Sequence, residues 1–274
     1  TFFTFGHSVT EFLFSGQWKP SDTAEGGGQV GAAMFLAGSL VTCLLSLIIS
    51  LPFSLASSIY MTEIATPQRR RLIQPAIELF TGIPSVVYGF VGMTVLIPAL
   101  RHIFPMPFGF SVLAAGIVLA IMIFPTITTM AADAMAAVPK SWREASYGLG
   151  ATRWETIAHV VLPAAKSGIF TGIILGLARA LGEALAVAMV IGQMKVFPTS
   201  LFLPASTLTT AISADMGGAM EGGEYNAALW TMALVLFLLS FLFIFVIHQI
   251  NAASEVKGDG INMTSVETKK IKIK

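Results

Sequence analysis

Residues 138–167 read Val138-Pro-Lys-Ser-Trp-Arg-Glu-Ala-Ser-Tyr-Gly-Leu-Gly-Ala-Thr-Arg-Trp-Glu-Thr-Ile-Ala-His-Val-Val-Leu-Pro-Ala-Ala-Lys-Ser167. This polar, basic stretch separates two long apolar runs. Pro139 followed by Ser141, with Glu144 three residues further on, predicts a helix start closed by a capping box. Gly148 and Gly150 then end that short helix, and Pro163 is expected to open the next. The stretch therefore reads as a short amphipathic helix, a turn, and a return into an apolar environment.

The chain around it is that of a membrane protein. Of 274 residues 55% are apolar and 11% charged, against roughly 25% charged in an average soluble domain. The mean hydropathy of +0.78 points the same way. A bilayer core of about 30 Å needs about 20 mostly apolar residues per helix. Five stretches meet that need, near 32–62, 72–100, 111–137, 168–195 and 226–250.

Basic residues orient them. Arg69, Arg70, Arg71, Lys140, Arg143, Arg153, Lys166, Lys257, Lys269, Lys270, Lys272 and Lys274 fall on one side, and only Lys19, Arg101 and Lys195 on the other. Lysine and arginine are retained on the cytoplasmic face. Residues 138–167 and the polar tail 252–274 are thus expected inside, and residues 1–30 and 196–225 outside, flanking a transmembrane domain over 31–251. An external start with five spans predicts a sixth helix before Thr1. The segment from Pro198 to Asp215 reads as either a re-entrant external gate or a docking surface.

Several function classes find no support in these residues. A net charge of +1 offers no general attraction to nucleic acid. The single Cys43 excludes an internal disulfide framework, and His7, His102, His159 and His248 are scattered, so no metal site is expected. No nucleophile–base set argues for a hydrolase. The chain contains no Gly-x4-Gly-Lys-Ser/Thr phosphate loop. It is therefore expected to be no enzyme and to bind no cofactor, and any ATP that drives it must be bound by a partner.

Two spans carry features that are costly in a bilayer. Arg179 and Glu183 lie near the middle of the fourth. A central arginine costs about 2.5–3.5 kcal/mol on insertion scales, so such residues line a cavity or pair. Their spacing of four places both on one helical face, where they could pair. Gly168, Gly172, Gly176, Ala180, Ala184 and Ala188 form a small-residue ridge beside them, which lets another helix approach closely. Either the charged pair lines an anion path or it only neutralises itself and sets packing. In the second span Gly82 and Pro84 should break the helix and free backbone groups. Thr81 and Ser85 flank that break, which reads equally as an anion-binding site or a packing kink.

Glu144-Ala145-Ser146, Gly150 and Val160-Val161-Leu162-Pro163 together resemble the EAA loop of ATP-binding-cassette (ABC) import permeases, with Ser146 and Val160 as mild departures. In that family the loop docks into a groove of the ATPase, which assigns Glu144, Ala145, Ser146, Gly150, Leu162 and Pro163 to ATPase coupling. Gly82-Ile-Pro-Ser-Val-Val-Tyr-Gly89, Ala178-Arg-Ala-Leu-Gly-Glu-Ala-Leu-Ala-Val-Ala-Met-Val-Ile-Gly192 and Leu203-Pro-Ala-Ser-Thr-Leu-Thr-Thr-Ala-Ile212 are similar to phosphate-specific transport (Pst) permeases of the PstC type.

The resemblance implies an all-α membrane protein with the type I importer (MetI-like) fold, in the cytoplasmic (inner) membrane of a bacterium. It further implies phosphate import with a PstA-like permease as heterodimer partner, two ATP-binding subunits and an external phosphate-binding protein. Arg179 and Glu183 would be the conduit residues, and Glu183 could favour a protonated phosphate over sulfate. A permease for sulfate or molybdate is the nearest alternative. An ion channel or a sensory scaffold would be the alternative from another class, and neither needs the Glu144–Pro163 loop.

Overall fold

A computed structural model describes residues 5–21, 27–106 and 108–271. The tail 252–274 falls, in its side chains and its last three residues, outside the described residues. Among the described residues, five helical stretches are long and apolar enough to cross a membrane: Ala33–Ile64, Ser85–Ile103, Val112–Ala136, Arg153–Gly182 and Glu224–Val246.

Helix α1 (Val9–Phe14) and the paired strands β1 (Trp18–Lys19) and β2 (Gln29–Val30) precede the first span. That span is α2 (Ala33–Ile59), extended by a π-helical turn at Tyr60–Ile64. A helix α3 (Pro67–Gly82), capped by Thr66 and carrying Arg69, Arg70 and Arg71 in its first turns, leads into the second. The span expected over 72–100, with a distortion at Gly82 and Pro84, is divided there. Chain leaves α3 at Gly82, turns through Ile83 and Pro84, and restarts as α4 (Ser85–Val91), a π-helical turn (Gly92–Leu96) and α5 (Ile97–Ile103). Pro84 lacks a donor and cannot continue α3.

The third span, α6 (Val112–Ala136), is the axis of the bundle. Ser111 caps it by accepting from the Ala114 amide at 3.1 Å. It is flanked by α2 and by α9 (Leu162–Gly182). Both neighbours approach through small residues. On α2, Ser39, Thr42, Ser46, Ser50, Ser54 and Ser58 are all buried. Their hydroxyls are satisfied locally: Thr42 bonds the Gly38 carbonyl at 2.7 Å, and Ser54 reaches Phe124 of α6 at 3.3 Å. Such back-bonding lets polar side chains sit in a dry helix interface.

On α9 the ridge of Gly168, Gly172 and Gly176 meets α6 so closely that added β-carbons would lie 2.4 Å from Ala134, 2.8 Å from Met130 and 2.9 Å from Ile127. The ridge expected at an interface between helices is therefore used inside this chain, against α6.

The last helix is α12 (Glu224–Ile271), of which Glu224–Val246 is apolar enough to span. The end predicted to be external is more than loop. Phe12, Trp18, Val30, Phe35, Leu229 and Met232 form a second buried core there, with the Trp18 and Phe35 rings edge to face at 5.0 Å. Glu224, fully buried, accepts from the Ser21 amide at 2.7 Å and the Gly28 amide at 2.9 Å, and bonds His7 Nε2 at 2.5 Å.

The segment after α10 (Leu185–Ile191) folds back into the bundle. Pro204 to Thr207 runs across α2 at Gly38, and α11 (Leu208–Asp215) buries its first turn. The Leu208 amide donates to Ser39 at 2.9 Å. Lys195 pins the outer part, pairing with Asp215 at 2.7 Å and donating to Tyr225 at 3.2 Å. Burial alone would lower the pKa of its ammonium, but the bonds to Asp215 and Tyr225 outweigh this and hold it above the usual lysine value. A pKa raised by folding means that this tie is present at neutral pH and is lost only as pH climbs through the folded-state pKa.

Candidate functional site

Two regions gather the residues singled out in the sequence. The first is the loop 138–167. Helix α7 (Lys140–Gly148) starts at Pro139 without any side-chain cap, so the capping box expected from Ser141 and Glu144 is not formed. The box lies one turn later, at α8 (Arg153–Thr156). Thr152 and Glu155 exchange bonds there, the Thr152 amide donating to Glu155 at 2.7 Å and the Glu155 amide to Thr152 at 3.3 Å.

Pro163 does not open a new helix either. It sits in a helical run that continues from α8 through a π-helical turn (Ile157–Val161) into α9. The wider turn just before Pro163 accommodates its missing amide donor.

Gly148 and Gly150 do end α7, and Gly150 has φ +86°, a conformation that costs glycine little. Glu144 and Ala145 are exposed, and the Ser146 hydroxyl meets that of Thr156 at 2.9 Å across the turn. Leu162 is half-buried and Pro163 exposed at the start of α9. Leu149 is 90% exposed, and Trp142 and Trp154 are also largely uncovered. Large exposed apolar side chains of this kind mark a surface for another protein or for the membrane, and Trp154 already belongs to the candidate span Arg153–Gly182.

Thr152→Ala should weaken α8 by about 1 kcal/mol. Hydrogen exchange at the amides of Glu155 and Thr156 reads this directly: they should exchange faster in the variant, and unchanged protection would mean that the cap contributes nothing.

The second region is the fourth span. The expected continuous helix over 168–195 ends at Gly182. Glu183 is extended, with ψ 123°, and α10 starts after Ala184. Arg179 and Glu183 are therefore not one turn apart on a shared face, and the ion pair allowed by their spacing is not made. Glu183 has partners of its own. Its Oε1 accepts from the Ala186 amide at 3.0 Å, capping α10, and its carbonyl accepts from the Thr209 hydroxyl at 2.8 Å.

Arg179 lies in the last turn of α9, where a cation is favoured by the helix carbonyls. It donates to the Thr126 hydroxyl of α6 at 3.1 Å. Among the described residues there are four ion pairs, and Arg179 is in none of them.

The two broken spans meet. A β-carbon on Gly89 of α4 would lie 3.0 Å from Ala186 of α10, and Tyr88 lies within electrostatic reach of Arg179. Tyr88 also crosses its own break, donating to the Phe80 carbonyl at 2.7 Å. Ser85, at the first residue of α4, precedes Tyr88 by about one turn of helix, whereas the Thr81 hydroxyl is taken up by the Glu78 carbonyl at 2.6 Å. Arg179 and Thr126 are thus brought together, Tyr88 lies on α4, which packs against α10, and Thr81 is exposed. Thr126 and Thr209, which the sequence reading passed over, hold Arg179 and Glu183 in place. Their signal was present, as hydroxyls in otherwise apolar stretches.

Comparison with known proteins matches residues 54–254 to the family described as binding-protein-dependent transport system inner membrane component. The chain is 48% identical over 256 residues to the probable ABC transporter permease protein YqgH of Bacillus subtilis, covering 93% of this chain and 82% of that one. It is 38% identical to the phosphate transport system permease protein PstC of Pasteurella multocida, covering 88% of this chain and 78% of that one.

Among solved structures, the inward-facing MetNI methionine ABC transporter matches with a TM-score of 0.60 at 22% identity, over 81% of this chain and 93% of that one. A bacterial alginate ABC transporter matches at 0.58 and 16% identity, over 79% of this chain and 77% of that one. These last likenesses show the fold, that of MetI-type importer permeases. The chain belongs to the binding-protein-dependent transport system inner membrane component family: it is a multi-pass, non-catalytic permease subunit of an ABC importer.

Proposed function

We propose that this permease carries phosphate into the cell, as half of a heterodimeric pathway with a PstA-like subunit. Two ATP-binding subunits bind and hydrolyse the ATP, and an external phosphate-binding protein delivers the anion. Loop 138–167 and the C-terminus face the cytoplasm, and Glu144, Ala145, Ser146, Gly150, Leu162 and Pro163 form the ATPase contact. The observation that carries the reading is Arg179: a guanidinium in a membrane span with no carboxylate partner among the described residues.

A cation so placed is stabilised by an anion that enters beside it, and the planar fork of arginine can give two parallel hydrogen bonds to an oxyanion. Ser85 stands on the adjoining broken span as a further donor, whereas the Tyr88 hydroxyl already donates to the Phe80 carbonyl, and Thr81 is the more remote member of the group. Glu183 keeps one carboxylate oxygen on the Ala186 amide; its other oxygen can accept from a protonated phosphate, which sulfate cannot supply. Phosphate specificity is supported by the PstC relative at 38% identity.

Competition tests the substrate. In vesicles holding the complete complex, ATP-dependent uptake of labelled phosphate should persist in a large excess of sulfate or molybdate and vanish in excess unlabelled phosphate. Uptake that molybdate or sulfate suppresses as strongly as phosphate does would assign the importer to another oxyanion.

A further inference from the structure

Helix α7, the exposed part of the coupling loop, buries none of its residues. It cannot be held to the bundle by apolar packing. Besides the hydroxyl contact of Ser146 with Thr156 at 2.9 Å, what holds it is Arg143. Its Nη2 pairs with Glu63 Oε1 at 2.7 Å and its Nε reaches the same carboxylate at 3.2 Å. Nη1 donates to the Val138 carbonyl at 2.6 Å and Nη2 to the Met135 carbonyl at 2.8 Å.

Glu63 belongs to the π-helical turn that ends the first span, and Met135 lies in the last turn of α6. Its own carbonyl also receives a hydrogen bond from Arg153, the first residue of α8. Glu63 is 7% exposed and Arg143 16%, so water screens the pair poorly and its geometry is costly to break. One guanidinium thus joins the coupling helix to the ends of two spans, and the backbone carbonyl of Glu63, accepting from Arg153, joins the end of the first span to α8.

We propose that Arg143 is the positioning residue through which movement of the coupling helix reaches the membrane spans, with Glu63 as its anchor. This rests on the reading of loop 138–167 as the ATPase contact and not on phosphate as the substrate. A rigid bidentate fork transmits displacement in a way that a single flexible contact cannot. When the ATPase moves α7, Arg143 drags the ends of the first and third spans with it. Without the fork α7 moves alone.

The test separates coupling from folding. The complete complex, ATPase included, is placed in lipid nanodiscs with Cys43→Ala and Leu185→Cys, so that one thiol beside the break in the fourth span reports on the pathway. Its reaction rate with a maleimide is measured without nucleotide and after trapping with ATP and vanadate. In this parent the two rates should differ.

In Arg143→Gln, ATP hydrolysis should continue while the difference between the rates shrinks about tenfold, within the range of coupling between distant sites. Arg143→Lys should restore part of it. An undiminished difference in Arg143→Gln would overturn the proposal and leave Arg143 a structural residue. Should Arg143→Gln release the ATPase, Glu63→Gln, which keeps the side-chain volume, is read by the same criterion. A parent complex that shows the rate difference but takes up no phosphate would defeat the substrate reading alone.

Discussion

Arg179→Gln should lower ATP-dependent uptake about 100-fold, the loss expected when one partner of a desolvated charge pair is replaced, while the complex still assembles and still hydrolyses ATP. Glutamine keeps most of the side-chain volume and retains a donor for Thr126, which Arg179 contacts at 3.1 Å. What it removes is the charge. Because Glu183 turns to the Ala186 amide and does not neutralise Arg179, removing the cation orphans no carboxylate, so folding should be little disturbed. Uptake and thermal stability therefore separate the readings. Lost uptake with an unchanged melting temperature places Arg179 on the anion path. Full uptake makes it a helix-end residue, and lost uptake with a much lower melting temperature makes it a packing residue.

Gly38→Val should cost about 3 kcal/mol or more, the upper end of overpacking penalties. A β-carbon at Gly38 would lie 2.1 Å from the Ser206 carbonyl oxygen and 3.1 Å from its carbon. The obstacle is backbone, which cannot rotate aside as a side chain can. The segment from Pro204 to Thr210 must lift off α2, and with it go the bond from the Leu208 amide to Ser39 and the bond from Thr209 to the Glu183 carbonyl. The variant should melt lower and should become sensitive to added protease in the segment 198–215. Gly217→Ala, where a β-carbon meets nothing within 4 Å, should melt with the parent. Equal melting of Gly38→Val and the parent would show that this segment is not seated on α2.

Apolar runs of membrane length matched the number of candidate spans and lay close to three of them, because the bilayer imposes that length on any helix crossing it. The second runs instead from Ser85 to Ile103 and the fourth from Arg153 to Gly182, shifted from the expected 72–100 and 168–195. The break in the second span was legible too, since Pro84 cannot continue a helix. The break at Glu183 was not. Leu181 to Leu185 contains good helix formers and no proline, and the chain leaves the helix there because Thr209 and the Ala186 amide hold Glu183 in place. Those are contacts between elements, which local pattern cannot report.

The same limit applies to the misplaced capping box. Ser141 with Glu144 has the required spacing, yet Thr152 with Glu155 has it as well and lies at a true helix start. The serines of the first span were legible only as polar residues without a catalytic neighbour. Their spacing of four at Ser46, Ser50, Ser54 and Ser58 was the sign of a helix interface.

The buried Glu224 also sets an order of events in biogenesis. Its bond to His7 joins residues 217 positions apart, one before the first span and the other at the start of the last. During synthesis the N-terminal segment emerges first, but its acceptor exists only once the start of α12 has been delivered to the same side. Until then α1 and the β1–β2 pair lack the leucine and methionine that complete their core. The hook therefore closes after the last span has inserted, and a subunit whose α12 is misinserted carries an open hook that quality-control proteases can recognise.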